Sequence, residues 1–110
     1  LCLQDPERRL NNTLYTQPAL YVVNALSYLE RQEDIAVLPD FVAGHSLGEL
    51  NALFAAAAFD FATGLRIVQK RAELMSKVTE GKMAAVIGIN EQTIREVLEQ
   101  PELQQLSIAN

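Results

Sequence analysis

At 110 residues the chain is sized for one small domain or for part of a larger one. With 49% hydrophobic and 21% charged residues it reads as globular, and a net charge of −5 gives no support for a nucleic-acid or membrane surface. The single cysteine, Cys2, cannot close an internal disulfide, which favours a reducing, cytoplasmic setting; with no histidine near it in sequence it is a poor candidate nucleophile.

No apolar stretch approaches the roughly 18–20 residues of a membrane span. Asp5, Glu7, Arg8 and Arg9 fall where a signal peptide would need to be apolar. The chain opens on Leu1 rather than methionine and stops just after an apolar run, as expected of an excerpt from a longer protein.

Residues 1–13 are polar and punctuated by Pro6 and Asn11-Asn12, which predicts a loop or a short helix. Thr16 is a plausible N-cap with Pro18 in the first turn, and a helix is expected to about Leu29, with Ala19, Leu20, Val23 and Leu26 sharing a face. The polar run 30–34 is expected to end it. Residues 35–38 and 41–43 are short apolar runs split by Pro39-Asp40, the second being the better strand. The next helix, 49–58, is apolar nearly all round, a pattern that belongs in the middle of something larger. Asp60 or Thr63 would cap a further helix reaching about Thr79, with Gly81 as its stop. Beyond it, 83–89 resembles a strand, Asn90 caps a short amphipathic helix carrying Ile94, Val97 and Leu98, and 106–109 resembles a second strand. The change of character places a boundary near Gly81-Lys82.

Between the 41–43 run and the apolar helix stands Gly44-His45-Ser46-Leu47-Gly48, a G-x-S-x-G pattern. A serine on a sharp strand-to-helix turn is lifted clear of its neighbours, and flanking glycines let the backbone turn without a Cβ clash. The helix behind it aims unpaired N–H groups and its positive end at the serine oxygen. Such a turn is suited to holding an acyl-enzyme.

Laid out at about 100° per residue, the helix 62–79 puts Leu65, Val68, Ala72, Met75 and Val78 on one side. Arg66, Lys70, Glu73 and Lys77 fall on the other. Arg71 lies on the apolar side, between the directions of Met75 and Val78. An inward guanidinium needs an anion, from the protein or from a ligand carboxylate clasped by two parallel hydrogen bonds. The alternative is a snorkelling arginine with its stem packed and its head in water.

These residues carry a resemblance. The stretch Phe41-Val-Ala-Gly-His-Ser-Leu-Gly-Glu49 resembles the active-site segment of the malonyl-CoA:acyl carrier protein transacylases of fatty acid and polyketide synthesis. Thr16-Gln17-Pro18-Ala19, Arg71-Ala-Glu-Leu-Met75 and Gly81-Lys-Met-Ala-Ala85 agree in order and spacing. Within that family the chain looks most like the malonyl-selective, discrete acyltransferases of polyketide assembly lines.

The resemblance implies an α/β fold. Residues 1–81 would form part of an α/β-hydrolase-like core, with a parallel strand, serine elbow and helix, and 82–110 the first β-α-β of a small ferredoxin-like α+β subdomain. It implies Ser46 as nucleophile, the Leu47 N–H as one oxyanion donor, Arg71 paired with the malonate carboxylate, and His45 lining the pocket. Gln17 matches a position near the site without a chemical step of its own. Malonyl-CoA and an acyl carrier protein are the implied partners, with no cofactor, metal, nucleic acid or membrane. The family's general-base histidine and its second oxyanion loop fall outside residues 1–110, so this excerpt alone is expected to be inactive or nearly so. His45, adjacent to Ser46 on a tight turn, is a poor base because sequence neighbours there point apart. Arg66, Lys70 and Lys77 are candidates for carrier docking, against the plainer reading of a solvated face. The competing enzyme class is a serine esterase or lipase of α/β-hydrolase or patatin-like type. Arg71 separates the two, since a lipase pocket needs apolar walls and malonate needs a cation.

Overall fold

The computed structural model describes residues 3–34 and 38–109, in two compact units, Leu1–Glu80 and Gly81–Asn110. In the first unit a 3-10 turn at Arg9–Asn11 leads into α1 (Thr13–Asp34), followed by α2 (Leu47–Ala55) and α3 (Phe61–Ser76). The second unit contains α4 (Glu91–Leu98) and a 3-10 turn at Pro101–Leu103. Among the described residues no helix is long and apolar enough to cross a membrane.

Every regular element among the described residues is helical, and this corrects the expected α/β class. Neither a parallel strand before Ser46 nor a ferredoxin-like strand pair is present among them. A strand exists through its ladder, and residues 41–43, 83–89 and 106–109 have no neighbouring strand with which to exchange N–H···O=C bonds. Their side chains are correspondingly open, with Phe41 94%, Met83 86% and Ile87 89% exposed. Of the run 35–38, residues 35–37 lie outside the described residues, as does Cys2.

Helix α1 begins before Thr16, because capping comes from upstream. Asn12 Oδ1 accepts from Leu14 N at 2.9 Å and caps α1, while Asp5 accepts from the N–H groups of Arg9 and Leu10 and so holds the 3-10 turn that precedes it. Thr16 instead sits inside the helix, where its hydroxyl donates to Asn12 O at 2.8 Å. Pro18 falls beyond the first turn, within the helix body. The polar run 30–34 extends the helix rather than ending it, since Glu, Arg and Gln are good helix formers.

Packing centres on α1, which lies mainly against α3 and secondarily against α2. Tyr21, Ala25, Val68 and Ala72 are fully buried between them. Gly64 allows the close approach: a Cβ there would meet Tyr21 Oη at 2.0 Å and Phe59 Cε2 at 2.6 Å. Tyr21, Tyr28, Phe54 and Phe61 stack edge-on or tilted, with centroids 5.7 to 6.3 Å apart. Burial, helped by the nearby Asp60 carboxylate, pushes the Tyr21 phenol above its ordinary pKa. Asn51 Nδ2 donates to Tyr21 O at 3.0 Å and ties α2 to α1.

Helix α3 is capped by Asp60, whose carboxylate accepts from Thr63 N at 2.6 Å, and that bond holds the carboxyl below its usual range. Asn90 caps α4 in the same way, accepting from Thr93 N at 2.8 Å. Helix α2 fully buries none of its residues, but most of them, Phe54 included, are half-buried, and Leu53 is the apolar residue left exposed.

Candidate active site

The turn before α2 is shaped by Gly44 and Ser46. A Cβ on Gly44 would sit 2.0 Å from the backbone carbonyl of Gly48, so the incoming chain can cross the helix start only with glycine at this position. Gly48 has no such neighbour. Ser46 takes φ 55° and ψ −108°, a region that costs a non-glycine residue about 1–3 kcal/mol. Hydrogen bonds from Gly48 N to His45 O at 2.9 Å and from Glu49 N to Ser46 O at 3.2 Å hold the turn closed. The strained geometry leaves the Ser46 side chain exposed at the first turn of α2.

Leu47 is the first residue of α2, and its N–H makes no hydrogen bond among the described residues. It therefore stands beside Ser46 as a donor on the positive end of the helix. The His45 side chain is exposed on the same turn.

Arg71, one turn beyond the buried Val68 on α3, is half-buried and reaches across to α2. Its Nη2 donates to Ser46 Oγ at 2.9 Å. Its Nη1 donates to Gln17 Oε1, and Gln17, on α1, is only 6% exposed. Three helices thus bring Gln17, Ser46 and Arg71 to one place. No carboxylate lies within ion-pair distance of Arg71 among the described residues; its partners there are neutral oxygens. A guanidinium bonded to a serine oxygen favours negative charge on that oxygen and on any acyl group attached to it.

Two further side chains belong to this arrangement and were not singled out as site residues from sequence. Gln17 Nε2 donates to Thr13 Oγ1 at 2.7 Å and to Met75 Sδ at 3.4 Å. Their signal in sequence was spacing alone: Thr13 and Gln17, like Arg71 and Met75, are four residues apart and so share a helix face.

The remaining candidates behave differently. Lys70 and Lys77 both bind Glu73, at 2.9 and 2.5 Å, and Arg66 Nη2 donates to Thr63 Oγ1 at 2.9 Å. Those lysines are satisfied within their own helix, as on a solvated face. An open groove of about 460 Å³, lined by Asn24, Tyr28, Phe41, Val42, Asn51 and Ala52 among others, includes neither Ser46 nor Arg71.

Comparison with known proteins gives a consistent result. The chain is 61% identical over all 110 residues to the polyketide biosynthesis malonyl CoA-acyl carrier protein transacylase PksC of Bacillus subtilis, covering 38% of that protein. It is 38% identical over 103 residues to the malonyl CoA-acyl carrier protein transacylase of Escherichia coli, covering 33% of it. Its backbone is similar to a crystal structure of the corresponding transacylase from Burkholderia pseudomallei, with a TM-score of 0.86 and 52% identity over 92% of this chain and 35% of that one. The chain therefore spans between a third and two fifths of these relatives' length. A profile of the acyl transferase domain matches residues 1–110 throughout, and the chain belongs to that family.

Proposed function

We propose that the protein containing this chain transfers a malonyl group from coenzyme A to the phosphopantetheine thiol of an acyl carrier protein, in polyketide or fatty acid synthesis. The observation that carries this reading is the 2.9 Å contact between Arg71 Nη2 and Ser46 Oγ. A malonyl ester on Ser46 places its free carboxylate on the third carbon from that oxygen, within reach of the same guanidinium. Arg71, half-buried and bonded among the described residues only to neutral oxygens, then gains an anion. An uncharged acyl group leaves it without one. The malonyl CoA-acyl carrier protein transacylases among its relatives support the same assignment.

In the first half-reaction Ser46 Oγ attacks the thioester carbonyl, and its proton passes to a general base. The carbonyl oxygen becomes an oxyanion facing the Leu47 N–H, and coenzyme A leaves as its thiol after taking up a proton. In the second, the carrier's thiol attacks the seryl ester, a C–S bond forms, and the Ser46 hydroxyl is regenerated. Arg71 cannot be the base, because a guanidinium only donates. His45 is assigned to the pocket wall.

The test is intact-mass analysis of the full-length protein after incubation with malonyl-CoA. A malonyl adduct is expected on the peptide containing Ser46 and is expected to vanish in Ser46→Ala. In Arg71→Ala, malonyl transfer should drop by about ten- to a hundredfold, the worth of a hydrogen bond to a charged group, while acetyl transfer rises relative to it. An unmodified Ser46 peptide in the wild-type protein would overturn the reading.

A further inference from the structure

The amide of Gln17 is held in one orientation. Arg71 presents only donors, so the atom facing it must be the carbonyl Oε1. The two amide hydrogens then need acceptors, and each has one: Thr13 Oγ1 at 2.7 Å on the same helix, and Met75 Sδ at 3.4 Å across on α3. Turning the amide over would break both bonds and set N–H against N–H. Gln17 is 6% exposed, so water is poorly placed to replace either acceptor. The hydroxyl acceptor is the closer and the stronger, since a thioether sulfur accepts weakly.

We propose that Thr13 is a positioning residue for acyl selection: by accepting the Gln17 amide hydrogen it keeps Gln17 Oε1 against Arg71, and so keeps the guanidinium beside Ser46 where a substrate carboxylate is read. Thr13 has no hydrogen bond to Arg71 or Ser46; its effect passes through Gln17. The inference rests on the carboxylate-reading role of Arg71 and extends it one residue outward, to the first turn of α1.

The experiment compares kcat and KM for malonyl-CoA and acetyl-CoA in the full-length protein and its Thr13→Val, Thr13→Ser, Met75→Leu and Arg71→Ala variants. Thr13→Val keeps the shape and removes the acceptor. It is expected to lower the malonyl-to-acetyl ratio of kcat/KM by about three- to tenfold, the usual worth of one hydrogen bond, chiefly through a higher KM for malonyl-CoA. Thr13→Ser keeps the oxygen and should stay within about twofold of the parent. Met75→Leu removes the weaker acceptor and should shift the ratio in the same direction by less. A Thr13→Val variant that slows both substrates equally, or leaves the ratio at the parent value while Arg71→Ala collapses it, overturns the proposal. Should Thr13→Val fail to fold, Thr13→Ala decides, and an unchanged ratio there overturns it. If Arg71→Ala itself leaves the ratio untouched, the carboxylate reading fails first and takes this inference with it.

Discussion

At the scale of single residues, position on a helix determines which charges are occupied with one another and which are available. Glu73 sits between Lys70 and Lys77 on the outer face of α3, and hydrogen bonds from Lys77 first and Lys70 second bring its carboxyl down to about 2. The folded value lies below the ordinary 4.5, so the contribution to stability is complete above about pH 4.5 and is lost as pH falls towards 2. Because the group is open to water, salt should weaken the effect. A carboxyl carbon-13 titration of Glu73 should therefore show a midpoint near 2 in dilute buffer. In about 1 M salt, where the screening length is about 3 Å, that midpoint should move back towards the ordinary range. A midpoint insensitive to salt would contradict the ion-pair explanation. Arg71, two residues earlier, has no such partner among the described residues and turns inward to Gln17 and Ser46. The 100° layout put it on the inner side of the helix, but the residues it meets there come from α1 and α2, which no reading of α3 alone supplies.

At the scale of elements, caps explain where helices stop. The alanine run Ala55 to Ala58 reads as continuous helix, yet α2 ends at Ala55. Ala57 adopts φ 57°, with Ala58 N bonded to Leu53 O and Ala57 N to Phe54 O, both at 2.9 Å. This is a Schellman closure with alanine where glycine is usual. The chain must turn there because Asp60 opens α3 a few residues later, and α3 has to pack against α1. An alanine in the left-handed region costs about 1 kcal/mol relative to glycine. Ala57→Gly should therefore raise the unfolding midpoint of the full-length protein by an equivalent amount in a denaturant titration, and Ala57→Val should lower it. A drop with glycine would show that the turn is not strained by its side chain. By contrast, Asp60 and Asn90 act as the caps expected of their residue types, because a side-chain oxygen accepting an N–H three residues on is a local interaction.

At the scale of the whole chain, the buried apolar core among the described residues is small: Tyr21, Ala25, Val68 and Ala72, all within Leu1–Glu80. The unit Gly81–Asn110 buries none of its described residues. A unit of that size lies below the roughly 40 residues at which an unaided core becomes adequate. In the 110-residue polypeptide taken alone, amides of residues 83–89 should exchange with deuterium at close to free-peptide rates, while those of α1 and α3 around Tyr21 and Val68 should be slowest. Strong protection across 83–89 would mean that the segment finds partners within the chain.

The expected strands and the observed helices divide along a physical line. Helical hydrogen bonds close within a segment, so α3 and α4 with their caps Asp60 and Asn90, the existence of α1 though not its start or end, and the inward side of Arg71 could be read from local spacing. The G-x-S-x-G turn was legible for the same reason, since the need for glycine at position 44 arises from a backbone crossing four residues long. A strand is decided by whatever lies beside it, and the apolar runs at 41–43, 83–89 and 106–109 carry β character without a ladder among the described residues. Only tertiary structure decided that Gln17, Ser46 and Arg71 meet, because they come from three helices whose mutual placement depends on Gly64, Tyr21 and the aromatic cluster packing together. Sequence by itself determined the inward side of α3, where Val68 and Ala72 are buried as their spacing predicts. On α1 the expected face of Leu20, Val23 and Leu26 is exposed, and packing against α2 and α3 buries Gln17, Tyr21 and Ala25 instead, because which stripe of a helix is covered depends on its neighbours.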